Sequence, residues 1–574
     1  MCGNVPASIL APFLPHSPKP PVTTPVKGWV SLRTPRLGLL LAATAALALT
    51  ATACSGATKP TGTGPGDYTV TPLAPPAKGP LPSLTWSLYA EPYTLDYAQA
   101  FDYPPNTVLA NVCEQLLRVT PDLKIEPGLA VKWENPDPLV WVYTLRPGVT
   151  FHDGTPLTAD DVVASLKRQM DPATGSPWGS AFKNVKAVEK TGPLQVTLRL
   201  TKPDMLLNEL MAASPGTIES AAFLAKAGKE YGVPGGKVNC TGPYALEKWQ
   251  QGESITLKKH PGYWDKKLTP KTDTVRFTFT EDSAARTNAF LTGTADGGYM
   301  VPSSSLAQLR ASDKGKVHFG PNTAAANLAV LNFQGTLGDL KVRKALSLAL
   351  DRENIIKAAA GGVGIPAKAP AARGAWALRP ERTEGYYKEL PDPVRDVAAA
   401  KALVEEAGAT GKPVTLVTSS LAPEISVVAN AVQAAGREIG LDVRLKAVAP
   451  EAYSSIFVDP NARKGLDLVI TNGYDNTPDP LEFYQYLRTG DFGNYGNWSD
   501  PGYDAAFDRA IAAADPGPRS DLTNELQKIA VRELPIIPVY EAPYSVFLGN
   551  RVTGAPTGIA QLYYPWAATI GAAR

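Results

Sequence analysis

The sequence predicts an α/β fold with mixed sheets, and three observations carry the prediction. Between Lys412 and Leu445, "PVTLVTSS" has strand composition; Ile425, Val428, Val432, Ala435 and Ile439 then recur at spacings of three and four, and "LDVRLKAV" follows Gly440 as a second strand. This is a βαβ unit, so at least one lobe holds parallel strands covered by helices. Elsewhere "LVWVYTL" (Leu139 to Leu145), "LQVTLRL" (Leu194 to Leu200), "SITLKKH" and "TVRFTFT" alternate and are rich in β-branched and aromatic residues, the pattern of antiparallel strands. With 574 residues, 44% of them hydrophobic, the chain can bury several cores, and its length suggests three or four domain-sized units.

Taken in order, residues 1–29 are Pro-rich, stand ahead of any signal-like segment, and are expected to be an extension upstream of a true start at Val30. Residues 30–53 follow the plan of an export signal: Arg33 and Arg36, then the Leu/Ala run from Leu37, shorter than the ~20 apolar residues of a membrane span. Ala51, Thr52 and Ala53 before Cys54 resemble a bacterial lipobox, so Cys54 is the expected lipidation site, although Ala51 stands where leucine is usual. The alternative is a released protein with a free Cys54. Residues 54–83, rich in Pro, Gly and Thr, are expected to be a flexible tether, about 30 Å long as a coil. Further helices are expected at "DLKVRKALSLALDRENIIKAA", "VRDVAAAKALVEEAG" and "YDAAFDRAIAAA", and no repeat of solenoid period occurs.

Charge excludes one class of partner. The 56 basic and 54 acidic residues give +2. Removing residues 1–53, with four basic residues and no acid, leaves 52 against 54, a net −2 without basic runs. Nothing here favours nucleic acid. The sequence has no G-x-S-x-G, H-E-x-x-H, P-loop or complete G-x-G-x-x-G, and "GGVGIP" at Gly361 lacks the last glycine of the dinucleotide pattern. His152, His260 and His318 stand far apart in sequence without metal-ligand spacing, so neither a metal site nor a cofactor is expected.

Five segments, "CEQLLRVTPDLKIEPGLAVKWE", "YTLRPGVTFHDGTPLTADDVVASLKR", "CTGPYALEKWQQGESITLKKHPGYW", "LNFQGTLGDLKVRKALSLALDRENII" and "ELPIIPVYE", occur in an order that resembles family 5 extracellular solute-binding proteins, the peptide, dipeptide and nickel receptors of ABC importers. The resemblance runs from about Leu84 to about Gly558. It implies a two-lobed periplasmic-binding-protein-like fold (type II, large oligopeptide-binding type) with a hinge between lobes. Lobe I would comprise 84–326 and 533–574, with an N-terminal subdomain at about 103–225, and lobe II 327–532. It also implies a monomer outside the cytoplasm, held at the membrane by its lipid, that captures a peptide or similar amphipathic solute for an ABC permease and its ATPase, with no catalytic residues. A glycoside, a metallophore or another organic solute is the alternative ligand; a sensor that serves no permease, or a hydrolase using Asp153, Asp160 or Asp161, are the alternative functions.

Peptide-binding relatives use an aspartate in a W-x-x-D…D-P segment to hold the ligand's α-ammonium, because a buried cation needs a paired anion. The corresponding segment here is "VITNGYDNTPDPLEFYQY", which makes Asp475 the candidate anchor, with Asn472 in place of the tryptophan and an extra residue before Asp479. Tyr474, Tyr299, Asn494, Tyr495 and Trp498 are further candidate cleft residues, each open to a packing role instead. Trp249, Tyr263 and Trp264 are expected in the core. Cys113 and Cys240, an even pair in an exported chain, are expected to form a disulfide, with two buried free thiols as the alternative. Four polar groups cluster in "VTFHDGTPLTADDV", but Asp153-Gly154 has turn composition and Thr158 to Asp161 that of a capping box, so these acids are expected to shape backbone.

Overall fold

The computed structural model describes residues 68–574, so the expected extension, signal segment and Cys54 lie outside the described residues. The strands expected from alternation fall where they should. Val140–Leu145 and Gln195–Leu200 pair antiparallel within a four-stranded sheet flanked by Ala130–Asp137 and Val185–Gly192. Ser254–Lys259 and Thr272–Phe279 pair antiparallel within a seven-stranded sheet, in which Leu81–Leu88 joins Thr272–Phe279 in parallel register. Around these two sheets one continuous core forms, with Trp86, Tyr143, Phe277 and Trp566 fully buried.

A second lobe has its own core on a six-stranded sheet, ordered Ile365–Pro366, Ile536–Glu541, Ala325–Val330, Leu468–Gly473, Pro413–Ser419, Asp442–Val448. The expected βαβ unit is here: Pro413–Ser419 and Asp442–Val448 run parallel over seven residue pairs, and helix Pro423–Glu438 connects them. Ile425, Val428, Val432 and Ala435 form that helix's buried face. Leu340–Ala349 and Arg352–Ala359 are two helices separated by Leu350 and Asp351; Asp351 caps the second by accepting from the Asn354 amide at 3.1 Å.

The chain passes from the first sheet to the second between Gly320 and Ala325 and returns between Glu541 and Tyr544. The two passages lie side by side: Ala325 pairs with Glu541, and Asn322 Nδ2 donates to the Ala542 carbonyl at 2.9 Å. This is the hinge. Gly320 is required there, because a Cβ would stand 2.2 Å from the Thr557 carbonyl carbon. The return boundary expected at 533 moves, since Ile536–Glu541 belongs to the second sheet and only Tyr544–Gly549 to the first.

The tether expectation needs a correction from Tyr68 onward. Val70, Leu73 and Gly79 form bridges with Phe319, Pro556 and Ala572, and the Ala74 and Lys78 amides donate to the Ala555 and Ala572 carbonyls at 2.9 and 2.8 Å. A Pro- and Gly-rich segment cannot build a core, but its backbone groups still pair when another extended segment lies beside it, and composition does not report that.

Candidate functional site

Asp475 follows strand Leu468–Gly473 and precedes helix Leu481–Gln485, on a loop at the hinge. Thr323, in the first hinge passage, donates from Oγ1 to the Asp475 carbonyl at 2.7 Å. The Asp475 side chain is 2% exposed, and neither of its oxygens makes a hydrogen bond of ordinary length and angle, the nearby Phe483 amide included. Burial pushes its carboxyl well above the usual range, and the neighbouring Glu482 and Asp479 push it further; the Phe483 amide opposes them. The two neighbouring acids, Asp479 of the loop and Glu482 of the helix, are spoken for. Glu482 accepts from the Thr477 amide at 2.9 Å, Thr477 Oγ1 at 3.1 Å and Asn476 Nδ2, and burial raises it to about 7. Asp479 accepts from Arg519 Nε at 2.8 Å. Of these three acids, Asp475 is the one with no hydrogen-bond partner on either oxygen.

Beside it is a cavity of about 10 Å³, room for roughly one water, walled by Val119 and Leu123 from the N-terminal region, Ile559 and Leu562 from the C-terminal region, and Thr323. Tyr563 closes one side by donating its hydroxyl to Asn476 Oδ1. As it stands the cavity is too small for anything larger than water. A larger cavity, about 640 Å³, opens between residues 180–203 and 488–512, but the charges lining it are largely matched, Lys183 with Asp491 at 3.1 Å and Arg488 with Asp508 at 2.7 Å. The smaller cavity is the candidate site because it holds the uncompensated charge.

Tyr474 joins the lobes: its hydroxyl donates to the Phe101 carbonyl at 2.9 Å, and its ring lies 5.1 Å from that of Tyr103. Tyr299 takes a packing role, 4% exposed, its hydroxyl donating to the Pro556 carbonyl at 2.9 Å and its ring among Trp86, Tyr544 and Trp566. Asn494 and Trp498 staple their own loop: Asn494 Nδ2 donates to the carbonyls of Arg488 and Trp498, its Oδ1 accepts from the Trp498 amide at 2.9 Å, and the indole packs on Tyr503. Tyr495 lies under the Arg463 guanidinium at 4.8 Å. These four, expected in the cleft, have their partners away from Asp475, because an amide or aromatic ring in a loop satisfies itself locally as readily as it meets a ligand.

Cys113 and Cys240 are disulfide-bonded, their Cα atoms 4.8 Å apart. Glu219 lies with them, but both sulfurs are committed to each other, so this trio offers no thiolate to a metal. Trp249 and Tyr263 are buried as expected; Trp264 is only partly buried, its Nε1 donating to Glu114 at 2.8 Å.

Asp153 and Asp161 of "VTFHDGTPLTADDV" hold backbone amides as expected, whereas Asp160 does not. Asp153 accepts from the Thr155 amide at 3.0 Å and hydroxyl at 2.6 Å; Asp161 accepts from the Thr158 and Ala221 amides at 3.0 and 3.1 Å; Asp160 pairs on the surface with Lys190. One sequence inference about this stretch fails. The turn packs on residues 240–243, the His152 amide donating to the Cys240 carbonyl at 2.9 Å and the His260 amide to Pro243 at 2.8 Å, and this sets the two rings 5.1 Å apart. Distance along the chain did not measure distance in space. His152 Nε2 donates to the Gly242 carbonyl at 3.0 Å, which assigns its proton to that nitrogen, and burial depresses its pKa to about 4.

The structure thus combines two lobes, a paired-strand connection between them and, beside that connection, a buried carboxyl group without hydrogen-bond partners. Residues 124–495 match the family model of bacterial extracellular solute-binding proteins, family 5 (middle region). The chain belongs to this family. The periplasmic murein peptide-binding protein MppA of Escherichia coli K12 is 26% identical over 478 residues, covering 79% of this chain and 86% of that protein. Among solved structures, DppA from Helicobacter pylori in complex with peptide STSA superposes with a TM-score of 0.74 at 21% identity, covering 87% of this chain and 99% of the other. The binding protein AgaA of A. tumefacien R10, in complex with agropinic acid, gives 0.74 at 24%, covering 86% and 99%. At these identities the structures speak for the fold.

In "KVRKALSLALDREN", Arg343 donates to the carbonyls of Leu337, Gly338 and Glu533, and Arg352 to those of Ser347 and Pro538. Arg352 ties this region to the strand that returns through the hinge, and Arg343 ties it to the end of the helix Pro516–Glu533 just before that strand. Two residues that sequence reasoning passed over bear on the site. Arg519 bridges Asp479 and Glu209, and Glu209 is pushed to about 8 chiefly by burial. A charged residue inside the apolar run "LLNELMAA" was the available signal for Glu209; Arg519, on a polar helix, gave none.

Proposed function

We propose that this chain is an extracytoplasmic receptor that captures a peptide or peptide-like solute through its free ammonium group at Asp475, closes two lobes over it, and presents it to an ABC permease and its ATPase. It acts as a monomer, anchored at the membrane by a lipid on Cys54, and performs no covalent step. The observation that carries the reading is the buried Asp475 carboxylate with both oxygens unpartnered, beside a cavity walled by both lobes. Desolvating a carboxylate without a partner is unfavourable, and a ligand ammonium supplies the partner only when bound. That the relative MppA is a murein peptide-binding protein, and that DppA was solved with a bound peptide, supports a peptide over other cations. Native mass spectrometry of protein purified from its own cells tests this: a co-purifying peptide or aminated solute is expected, and a co-purifying anion or neutral sugar would contradict it.

A further inference from the structure

Strands Leu117–Val119 and Ile125–Pro127 pair antiparallel, Val119 opposite Ile125, and residues 120–124 turn the chain between them. The Leu123 amide donates to the Thr120 carbonyl at 2.8 Å, and the Thr120 amide to the Lys124 carbonyl at 2.8 Å. Thr120 Oγ1 accepts from the Lys124 amide at 2.9 Å and donates to Asp122 Oδ1 at 2.6 Å. This network holds Leu123 at φ +59°, the left-handed region in which a hairpin turn ordinarily places glycine or asparagine. A leucine Cβ is crowded there by the following carbonyl, so the position costs free energy that glycine would avoid.

Leu123 is nonetheless 4% exposed, and with Val119, Ile559 and Leu562 it makes the apolar side of the cavity beside Asp475. These four belong to the first lobe's core, so they reach a solute as one surface when the lobes close on it. The polar side chains lining the same cavity are, Asp475 excepted, already engaged. Thr323 donates to the Asp475 carbonyl at 2.7 Å and Thr477 Oγ1 to Glu482 at 3.1 Å, while Asn476 accepts from Tyr563 and donates to Glu482. The cavity thus offers one carboxyl group and a wall of branched aliphatic side chains.

An α-ammonium and its side chain leave the same carbon, so a solute whose ammonium meets Asp475 brings its first side chain against whatever lies beside that group. We propose that Val119, Leu123, Ile559 and Leu562 determine specificity: they select a peptide whose first residue is aliphatic and reject one whose first side chain is polar or charged. Discrimination comes from the rejected solute, because a polar side chain buried here leaves water and finds no free partner. The strained leucine marks the role, since glycine would serve the turn alone with less strain. This selectivity rests on the Asp475 reading, because only a solute anchored there is placed against the wall.

Isothermal titration of the full chain with Leu-Gly-Gly and Asn-Gly-Gly tests it, since the two peptides share a free ammonium and have first side chains of nearly the same shape. The wild type should bind Leu-Gly-Gly about tenfold or more tighter. Leu123→Asn, which suits the left-handed backbone but makes the wall polar, should narrow that ratio severalfold, chiefly by weakening Leu-Gly-Gly. If it does not fold, Val119→Thr, a polar change of similar shape, should narrow the ratio in the same direction. A wild type that binds both peptides equally, and loses both on acetylation of the amino terminus, overturns the wall and leaves Asp475 standing. Binding of neither free peptide, or of free and acetylated forms alike, overturns the Asp475 reading and the wall with it. Folded variants that keep the wild-type ratio also overturn the wall.

Discussion

Replacing Asp475 by Asn should improve the ligand-free protein and ruin the receptor. The carboxyl is 2% exposed with two unpartnered oxygens; asparagine leaves a polar group equally unpartnered there but removes the added cost of ionising it, on the order of 1–3 kcal/mol. Unfolding entropy near 2.1 cal/mol/K per residue, over the roughly 500 described residues, gives about 1 kcal/mol per degree, so the ligand-free variant should melt about 1–3 °C higher at pH 7. The sign follows from the raised carboxyl. Below its ordinary value of 3.8 the group is protonated folded and unfolded alike, and the penalty grows as pH rises from there toward the folded value, so the gain should be absent near pH 3.5. Binding moves the other way: losing the anion opposite a buried ammonium costs about 2–5 kcal/mol, or roughly 30-fold to several-thousand-fold in Kd. Scanning calorimetry with and without a peptide ligand reads both effects. A variant that melts several degrees lower without ligand, or that keeps wild-type affinity, refutes the assignment of Asp475 as an unmatched anchor.

The disulfide closes a 127-residue separation, worth roughly 5 kcal/mol in the loop-entropy model, so Cys113→Ser with Cys240→Ser should lower the melting temperature by about 5 °C without changing affinity at 25 °C. Glu541, in the last hinge-proximal strand, is raised to about 7, chiefly by burial. Its contribution is therefore intact below its ordinary 4.5 and is lost as pH rises through about 7, so Glu541→Gln should raise the denaturant midpoint relative to wild type at pH 8 but not at pH 4. Tyr299→Phe deletes one buried hydroxyl donor and should cost about 1 kcal/mol of stability with ligand affinity unchanged in a titration. Thr158→Ala at the cap of helix Ala159–Met170 should likewise cost about 1 kcal/mol while leaving binding intact, an outcome that a hydrolytic role for the Asp160–Asp161 pair does not predict.

Periodicity located the elements well because burial imposes it. The helix face of Ile425, Val428, Val432 and Ala435 was visible as spacing, and the paired strands as alternation. What depends on backbone pairing was invisible: residues 68–80 look like a tether, yet extended neighbours satisfy their amides and carbonyls. The break at Leu350 and Asp351 was similarly hidden inside a run of good helix formers, although Asp351 is a capping residue. At the site, Asp475 was found through its resemblance to a known segment, not through any local pattern. The bridge from Glu209 to Arg519 joins positions 310 apart, and the His152–His260 contact joins positions over a hundred apart; no spacing rule reaches either. Asn494 and Trp498 show the converse, residue types suited to ligand contact that are committed to each other.

The central claim is that a cation on the solute meets Asp475, and it is tested most directly by isothermal titration with matched tripeptides whose amino termini are either free or acetylated. Acetylation removes the positive charge and leaves the rest of the peptide in place. Binding of the free form with loss of at least about 30-fold on acetylation is the predicted result. Equal affinity for both forms would contradict the account.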